Sequence, residues 1–164
     1  MFVTGINAEA VSHIHIITKD TEAVARFYEG VLGVTQIVKI DLTDWIGIRT
    51  LYITSQPMDL EYVQVTNPKV GVGLLLKNEP VGLNCISLKV PDLDKAIAAM
   101  EAAGFKNTGR LWMRGIQEAW FETKALGMQI ELAEYPGNDI MAIQQMPGPL
   151  KAVVLGVEYT PQRQ

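Results

Sequence analysis

The stretch Val11–Asp20, VSHIHIITKD, returns in altered form as Leu83–Asp92, LNCISLKVPD. Each copy is a β-branched run that breaks at an aspartate, feeds a helical pattern and stops near a glycine. The agreement extends well past these ten residues. His13 and Cys85 are 72 residues apart, Asp20 and Asp92 72, and Gly33 and Gly104 71. Glu61 and Glu131, and likewise Gln64 and Glu134, are 70 apart. A period this long, met only twice, marks a duplicated module rather than a solenoid. Whatever this chain folds into must accommodate two similar halves.

Each half reads β-α-β-β-β. Residues 11–18 alternate and form a strand, with His13, His15 and Ile17 on one face and Ser12, Ile14 and Ile16 on the other. Asp20 is a helix N-cap, Glu22 suits the positive helix end, and apolar rows through Val24, Phe27, Tyr28 and Val31 continue to the stop at Gly33. Extended segments follow at Val34–Asp41, Ile46–Thr54 and Met58–Val65, with a turn near Gln56–Pro57. The second half repeats the order. A strand over Leu83–Val90 leads to a helix from Asp92 to Gly104, and strands follow near Lys106–Arg110, Ile116–Thr123 and Met128–Tyr135. Residues 1–66 thus make one βαβββ module and 83–136 the other, giving an α+β chain. The Pro- and Gly-bearing stretch 67–82 links them, with Val72–Leu76 packing on something. Residues 137–164 have no counterpart and are expected to supply an extra strand, over Lys151–Thr160, or a dimer arm.

Composition removes several classes of function. With 48% apolar and 20% charged residues the chain is globular. A net charge of −4 gives no basic stripe for nucleic acid. One cysteine allows no internal disulfide and fits a reducing compartment. Met1–Ala10 lacks the features of a signal peptide, and no apolar run reaches the roughly 20 residues of a membrane span. The expectation is a cytoplasmic protein with a small-molecule partner, no nucleic acid and no membrane.

HIHIITKDTEAVARFYEGVLG resembles the opening strand and helix of the vicinal oxygen chelate superfamily. That group includes glyoxalase I, methylmalonyl-CoA epimerase, extradiol dioxygenases and the fosfomycin and bleomycin resistance proteins. LNCISLKVPDLDKAIAAMEAAGF is similar to the second opening, LEYVQV and GMQIELAEYPG to the closing strands. Epimerase-like and glyoxalase-like members look nearest. The resemblance implies an eight-stranded, open, cup-shaped sheet with the helices outside, and a homodimer. It also implies one divalent metal (Zn, Mn, Co, Ni or Fe) facing His13, Glu61, Cys85 and Glu131. Cys85 departs from the histidine more usual at its place.

Strand alternation reads the same residues independently. Cys85, Ser87 and Lys89 share a face opposite Ile86, Leu88 and Val90. Gln129 and Glu131 oppose Ile130 and Leu132, and Glu61 and Val63 oppose Leu60 and Tyr62. The apolar faces must cover the helices, which leaves a polar concave side. Buried carboxylates need a partner or a metal, whereas solvated glutamates on a wet sheet face need neither; both readings are open here. His13 and His15 point the same way about 7 Å apart along the strand, so His15 is either a further ligand or a substrate contact. Cys85 is open to three readings: a thiolate ligand, a small buried hydrophobe, or a reactive thiol. Trp45 and Trp112 are candidate pocket walls, and Arg49, Arg114 and Lys89 candidate anchors for an acidic substrate group, with ordinary packing or solvated charge as the alternative for each.

The resemblance implies a metal-dependent isomerase, epimerase or lyase that abstracts a proton next to a carbonyl, with Glu131, Glu61 and His13 as catalytic candidates. The alternative is a metal-free member of the same fold that binds a small molecule or works by His/Glu acid–base chemistry alone. A ring-cleaving dioxygenase fits less well. Its ferrous site draws two histidines from different strands, and both histidines here lie on one.

Overall fold

The protein is described by a computed structural model covering residues 5–54 and 58–162. The turn expected near Gln56–Pro57 lies outside the described residues. Strand β1 (Ala10–Ile17) and helix α1 (Thr21–Gly30) open the first module. β2 (Ile37–Leu42), the short α2 (Thr43–Ile46), β3 (Ile48–Ile53) and β4 (Asp59–Val65) complete it. α3 (Gly71–Leu76) lies in the linker. The second module is β5 (Gly82–Lys89), α4 (Leu93–Ala102), β6 (Asn107–Met113), β7 (Ile116–Phe121) and β8 (Gln129–Glu134). After it come α5 (Ile140–Gln144), β9 (Leu150–Val154) and β10 (Val157–Tyr159).

All ten strands form one curled, mixed sheet in the order β10-β9-β6-β7-β8-β5-β1-β4-β3-β2. The eight-stranded expectation is therefore corrected. Residues 150–159 supply two strands, which extend the second half of the sheet beyond β6: β9 pairs with β6 of the same chain and β10 with β9. The seam between modules is antiparallel, β1 against β5, and each opening strand pairs in parallel with the closing strand of its own module, β4 or β8.

Both helix starts were legible as caps. The Asp20 carboxylate accepts from the Ala23 backbone N–H, and Asp92 from that of Lys95, each at 3.0 Å. A second brace repeats with them. Gln64 Oε1 accepts from the Thr21 N–H at 3.1 Å, and Glu134 Oε2 from the Leu93 N–H at 2.6 Å. The last strand of each module thus ties down the first turn of that module's helix. Helix α1 ends at Gly30, three residues before the expected stop, but Gly33 does take the left-handed backbone (φ 66°) that favours glycine.

Alternation sorts the two faces of the sheet. Leu51, Ile53, Leu60 and Tyr62 pack toward α1, and Leu88, Ala119, Phe121 and Leu132 toward α4. The concave side holds a second, larger core that joins Ile46, Ile48 and Val63 to Leu111, Met113, Ala152 and Val154. Trp45 is buried there in α2, and its indole N–H donates to the Tyr159 carbonyl at 3.1 Å. That bond joins the β2 end of the sheet to its β10 end.

α3 crosses the concave side at very close range. A Cβ on Gly73 would lie 2.2 Å from the Asn67 carbonyl oxygen and 2.6 Å from that of Gly47. Both obstacles are backbone, so Gly73→Ala is expected to cost about 1–3 kcal/mol of stability, read as a lower urea midpoint at unchanged slope.

Candidate functional site

Four neighbouring strands at the middle of the sheet, with β3 and β7 beside them, aim polar side chains at one point on the concave side. β1 contributes His13 and His15, β4 Glu61, β5 Cys85 and β8 Glu131; β7 adds Glu118 and β3 adds Tyr52. Register explains the convergence. His15 stands opposite Glu61 on one side and Cys85 on the other, while His13 and Glu131 both stand opposite Ser87. The imidazole rings stack with centroids 4.7 Å apart, and their Nε2 atoms are 2.7 Å apart. His13 Nε2 is 3.4 Å from Glu61 Oε2 and 3.5 Å from Glu131 Oε1. His15 Nε2 is 3.0 Å from Glu61 Oε2 and 3.5 Å from Glu131 Oε2.

Two bulges shape the site and change the face that simple alternation assigns. An irregularity between Val11 and His13 inserts Ser12, so its hydroxyl lies beside His13 rather than on the opposite face. Ser12 Oγ is 2.9 Å from His13 Nδ1 and 2.7 Å from the Tyr135 hydroxyl. The chain Tyr135–Ser12–His13 orients the inner imidazole. On β5 the extra residue is Asn84, which joins Cys85 in the wall of a cavity of about 400 Å³.

That cavity separates the cluster into two layers. His15, Glu61, Glu118, Tyr52 and Trp120 line it, while His13 and Glu131, both fully buried, stand behind them. Trp120 Nε1 donates to Glu131 Oε2 at 2.5 Å and fixes that carboxylate. Glu131 Oε1, Glu118 Oε1 and Ser87 Oγ are buried with no hydrogen-bond partner.

Charge is densely concentrated. Burial works against a charged His13, but the Glu61 hydrogen bond and the Glu131 and Glu61 carboxylates outweigh it and raise its pKa. Burial likewise opposes ionisation of Glu61, yet His15, His13 and the Tyr52 hydroxyl hold its pKa below the usual value. Glu118 has no such support. Burial and then the Glu131 and Glu61 carboxylates push it well above the ordinary glutamate range. Burial and the same three carboxylates push the Cys85 thiol well up, so it stands as a neutral thiol.

The donor set fits a divalent metal. Three groups bring their ligand atoms within 4.8 Å of one another: His13 with His15 and Glu61, His15 with Cys85 and Glu131, and His13 with Glu118 and Glu131. Imidazole and carboxylate donors suit borderline divalent ions. Two Nε2 atoms this close can share only one proton, and partnerless carboxylate oxygens in a dry site call for a cation.

Of the residues singled out from sequence, the structure brings together His13, His15, Glu61, Cys85 and Glu131. It places the other five elsewhere. Arg114 is exposed in the turn between β6 and β7, at φ 61°. Arg49 lies on the helix-side face of β3, bonded to Asp41 at 2.7 Å. Trp112 is on the outer face of β6 between Arg110 and Lys151. Trp45 packs in the core and holds β10. Lys89 is on the concave face but clasps the Gly137 carbonyl and the Tyr135 ring at the far end. None of these five lines the cavity. Glu118, Tyr52 and Asn84 were missed. Ile116–Phe121 carries polar and apolar residues on both faces, so alternation alone could not orient Glu118.

Most of the chain resembles solved structures in fold. A methylmalonyl-CoA epimerase from Mycobacterium tuberculosis superposes with a TM-score of 0.64 at 19% identity, covering 84% of this chain and 94% of that one. A methylmalonyl-CoA epimerase in complex with methylmalonyl-CoA and NH4+ gives 0.63 at 20% identity, over 81% and 99%. A hypothetical protein from Bacillus halodurans C-125 gives 0.65 at 19% identity, over 79% and 96%. Likeness at this identity speaks for the fold alone. A search of curated proteins finds no match. The glyoxalase/bleomycin resistance protein/dioxygenase family model, however, matches residues 12–123, which carry both opening strands, Glu61, Cys85 and Glu118. The duplicated βαβββ frame and its central polar cluster thus belong to a member of the glyoxalase/bleomycin resistance protein/dioxygenase superfamily.

Proposed function

We propose that this chain holds one divalent metal ion and isomerises or epimerises a small carbonyl compound by moving a proton next to the carbonyl. The observation that carries the reading is the convergence of two imidazole Nε2 atoms and three buried carboxylates, with two carboxylate oxygens that have no hydrogen bond among the described residues. His13, Glu61 and Glu131 come from three different strands and would hold the ion, with His15 on the fourth side where Cys85 is a neutral thiol. When bound, the ion supplies Lewis acidity toward a substrate oxygen.

The remaining work falls to this chain's own groups. Ser12 and Tyr135 fix the His13 ring, and Trp120 fixes Glu131. Glu118 faces the cavity with a partnerless Oε1, which makes it the group to carry the substrate proton. The apolar wall excludes water from the exchange. A metal-free acid–base enzyme is the second reading, favoured by one observation: the second opening strand carries Cys85 at the place matching His13 in the first.

Two measurements separate these readings. Protein purified without chelators or an affinity tag is expected to carry near-stoichiometric divalent metal by elemental analysis. That protein should also exchange solvent deuterium into the carbon next to a ketone. Metal-free protein with full exchange activity would favour the second reading, and no exchange into any carbonyl compound would overturn both.

A further inference from the structure

The cavity wall states what kind of molecule can approach the cluster. Beyond His15, Glu61 and Glu118 it is mainly aliphatic: Ile46, Ile48 and Val63 from the first module, Leu75 and Leu76 from α3, and Leu111 and Met113 from β6. Four carboxylates line it, Glu61, Glu79, Glu118 and Glu122. Among the described residues the wall contains a single lysine, Lys124, and it is paired with Glu79. No arginine lines it among the described residues. With the substrate carbonyl at the His15 end, an anionic group elsewhere on its body would meet Glu79 and Glu122 with no unpaired lysine or arginine among the described wall residues to receive it. A nucleotide carrier would meet the same shortage at its phosphates, which are recognised by arginine and lysine.

One polar atom interrupts the aliphatic part of the wall. Thr50 is 2% exposed, lines the cavity, and its Oγ1 has no hydrogen-bond partner among the described residues. It lies on β3 two residues from Tyr52, so the hydroxyl is offset by roughly 7 Å along the strand from the cluster end. A buried hydroxyl without a partner costs free energy unless something in the cavity bonds to it.

We propose that the substrate is a compact, uncharged molecule with an apolar body, whose carbonyl meets His15, Glu61 and Glu118 and whose second polar group hydrogen-bonds to Thr50. This rests on the carbonyl chemistry proposed above but assigns a substrate class that differs from a carboxylate-bearing thioester. The turn of the β9–β10 hairpin takes part in that selection. Leu155, half exposed and held at φ 49° next to Gly156 at φ 81°, lines the cavity, as do the exposed Lys124 and Ala125. Leu155 adds an apolar side chain to the exposed part of the wall.

Calorimetric titration at pH 7 with four probes tests the proposal: acetophenone, 4-hydroxyacetophenone, 4-acetylbenzoate and methylmalonyl-CoA. Both neutral ketones are expected to bind, the hydroxylated one about 2- to 10-fold tighter. That increment should vanish in Thr50→Val, a near-isosteric change whose folding is verified by an unchanged urea midpoint or a higher one. 4-Acetylbenzoate should bind at least about 10-fold more weakly than 4-hydroxyacetophenone, because its carboxylate has no cation to meet. Equal or tighter binding of either anion, no binding of the ketones, or a hydroxyl increment that survives Thr50→Val would overturn it. Binding needs neither turnover nor metal, so the two proposals fail separately. Ketone binding in this order without deuterium exchange would sink the reaction and leave the substrate class. Exchange into methylmalonyl-CoA with the ketones excluded would do the reverse.

Discussion

Glu131→Gln is expected to empty the metal site while leaving the fold in place. Glutamine keeps a side-chain oxygen that can accept from Trp120 Nε1, the 2.5 Å bond that now fixes the carboxylate. What it removes is a negative charge beside His13 and His15, at 3.5 Å from each Nε2. Loss of one ligand from a four-donor site should lower metal occupancy on purification to below about a tenth of wild type. Deuterium exchange should fall by roughly three powers of ten, because Lewis-acid stabilisation is worth several kcal/mol and each 1.36 kcal/mol is tenfold. Circular dichroism and the urea slope should match wild type. Full metal occupancy in this variant would remove Glu131 from the ligand set.

Glu118→Gln should separate chemistry from metal binding. The variant is expected to keep its metal and lose about 10²- to 10⁴-fold in exchange rate, the usual worth of a general acid or base. It should also be the more stable protein. Burial and the neighbouring carboxylates raise the folded-state pKa of Glu118 above 4.5, so the folded state holds a proton that the unfolded state releases. Stability from that group is complete below about pH 4.5 and is lost as pH rises toward the folded value. Glutamine does not titrate, so its advantage should grow with pH across that window. In chelator-treated protein at pH 7–8 a gain of about 1 kcal/mol would appear as a Tm about 2–4 °C higher. A variant that is slower but no more stable would mean that Glu118 has a partner in the folded protein.

The frame was legible because its determinants are local. Asp20 and Asp92 cap helices by bonds that reach three residues, and both bonds are present. The inner faces of β4, β5 and β8 followed from a period of two in clear apolar–polar alternation, which put Glu61, Cys85 and Glu131 on one side. What escaped was set by register and by distant partners. The bulges at Ser12 and Asn84 add a residue to a strand, an event no periodic pattern announces. Arg49 and Trp112 carry the residue types of a binding wall, but their strands turn them to the other face of the sheet. The extra strand expected over Lys151–Thr160 is a hairpin of two, β9 and β10, turned at Leu155 and Gly156, and its pairing with β6 is a distant contact that no local pattern announces.

The paired braces from Gln64 to Thr21 and from Glu134 to Leu93 bear on how such a protein can change over generations. They lie on the helix side of the sheet, and each closes its module without reference to the concave face. Replacement of a donor in the central cluster therefore perturbs neither brace, and one half can drift while its twin keeps the older residue. Cys85 holds in the second half the place that His13 holds in the first. The halves keep the same latch and the same closing-strand glutamate and differ at the opening-strand donor, so a change of specificity there needs no new scaffold.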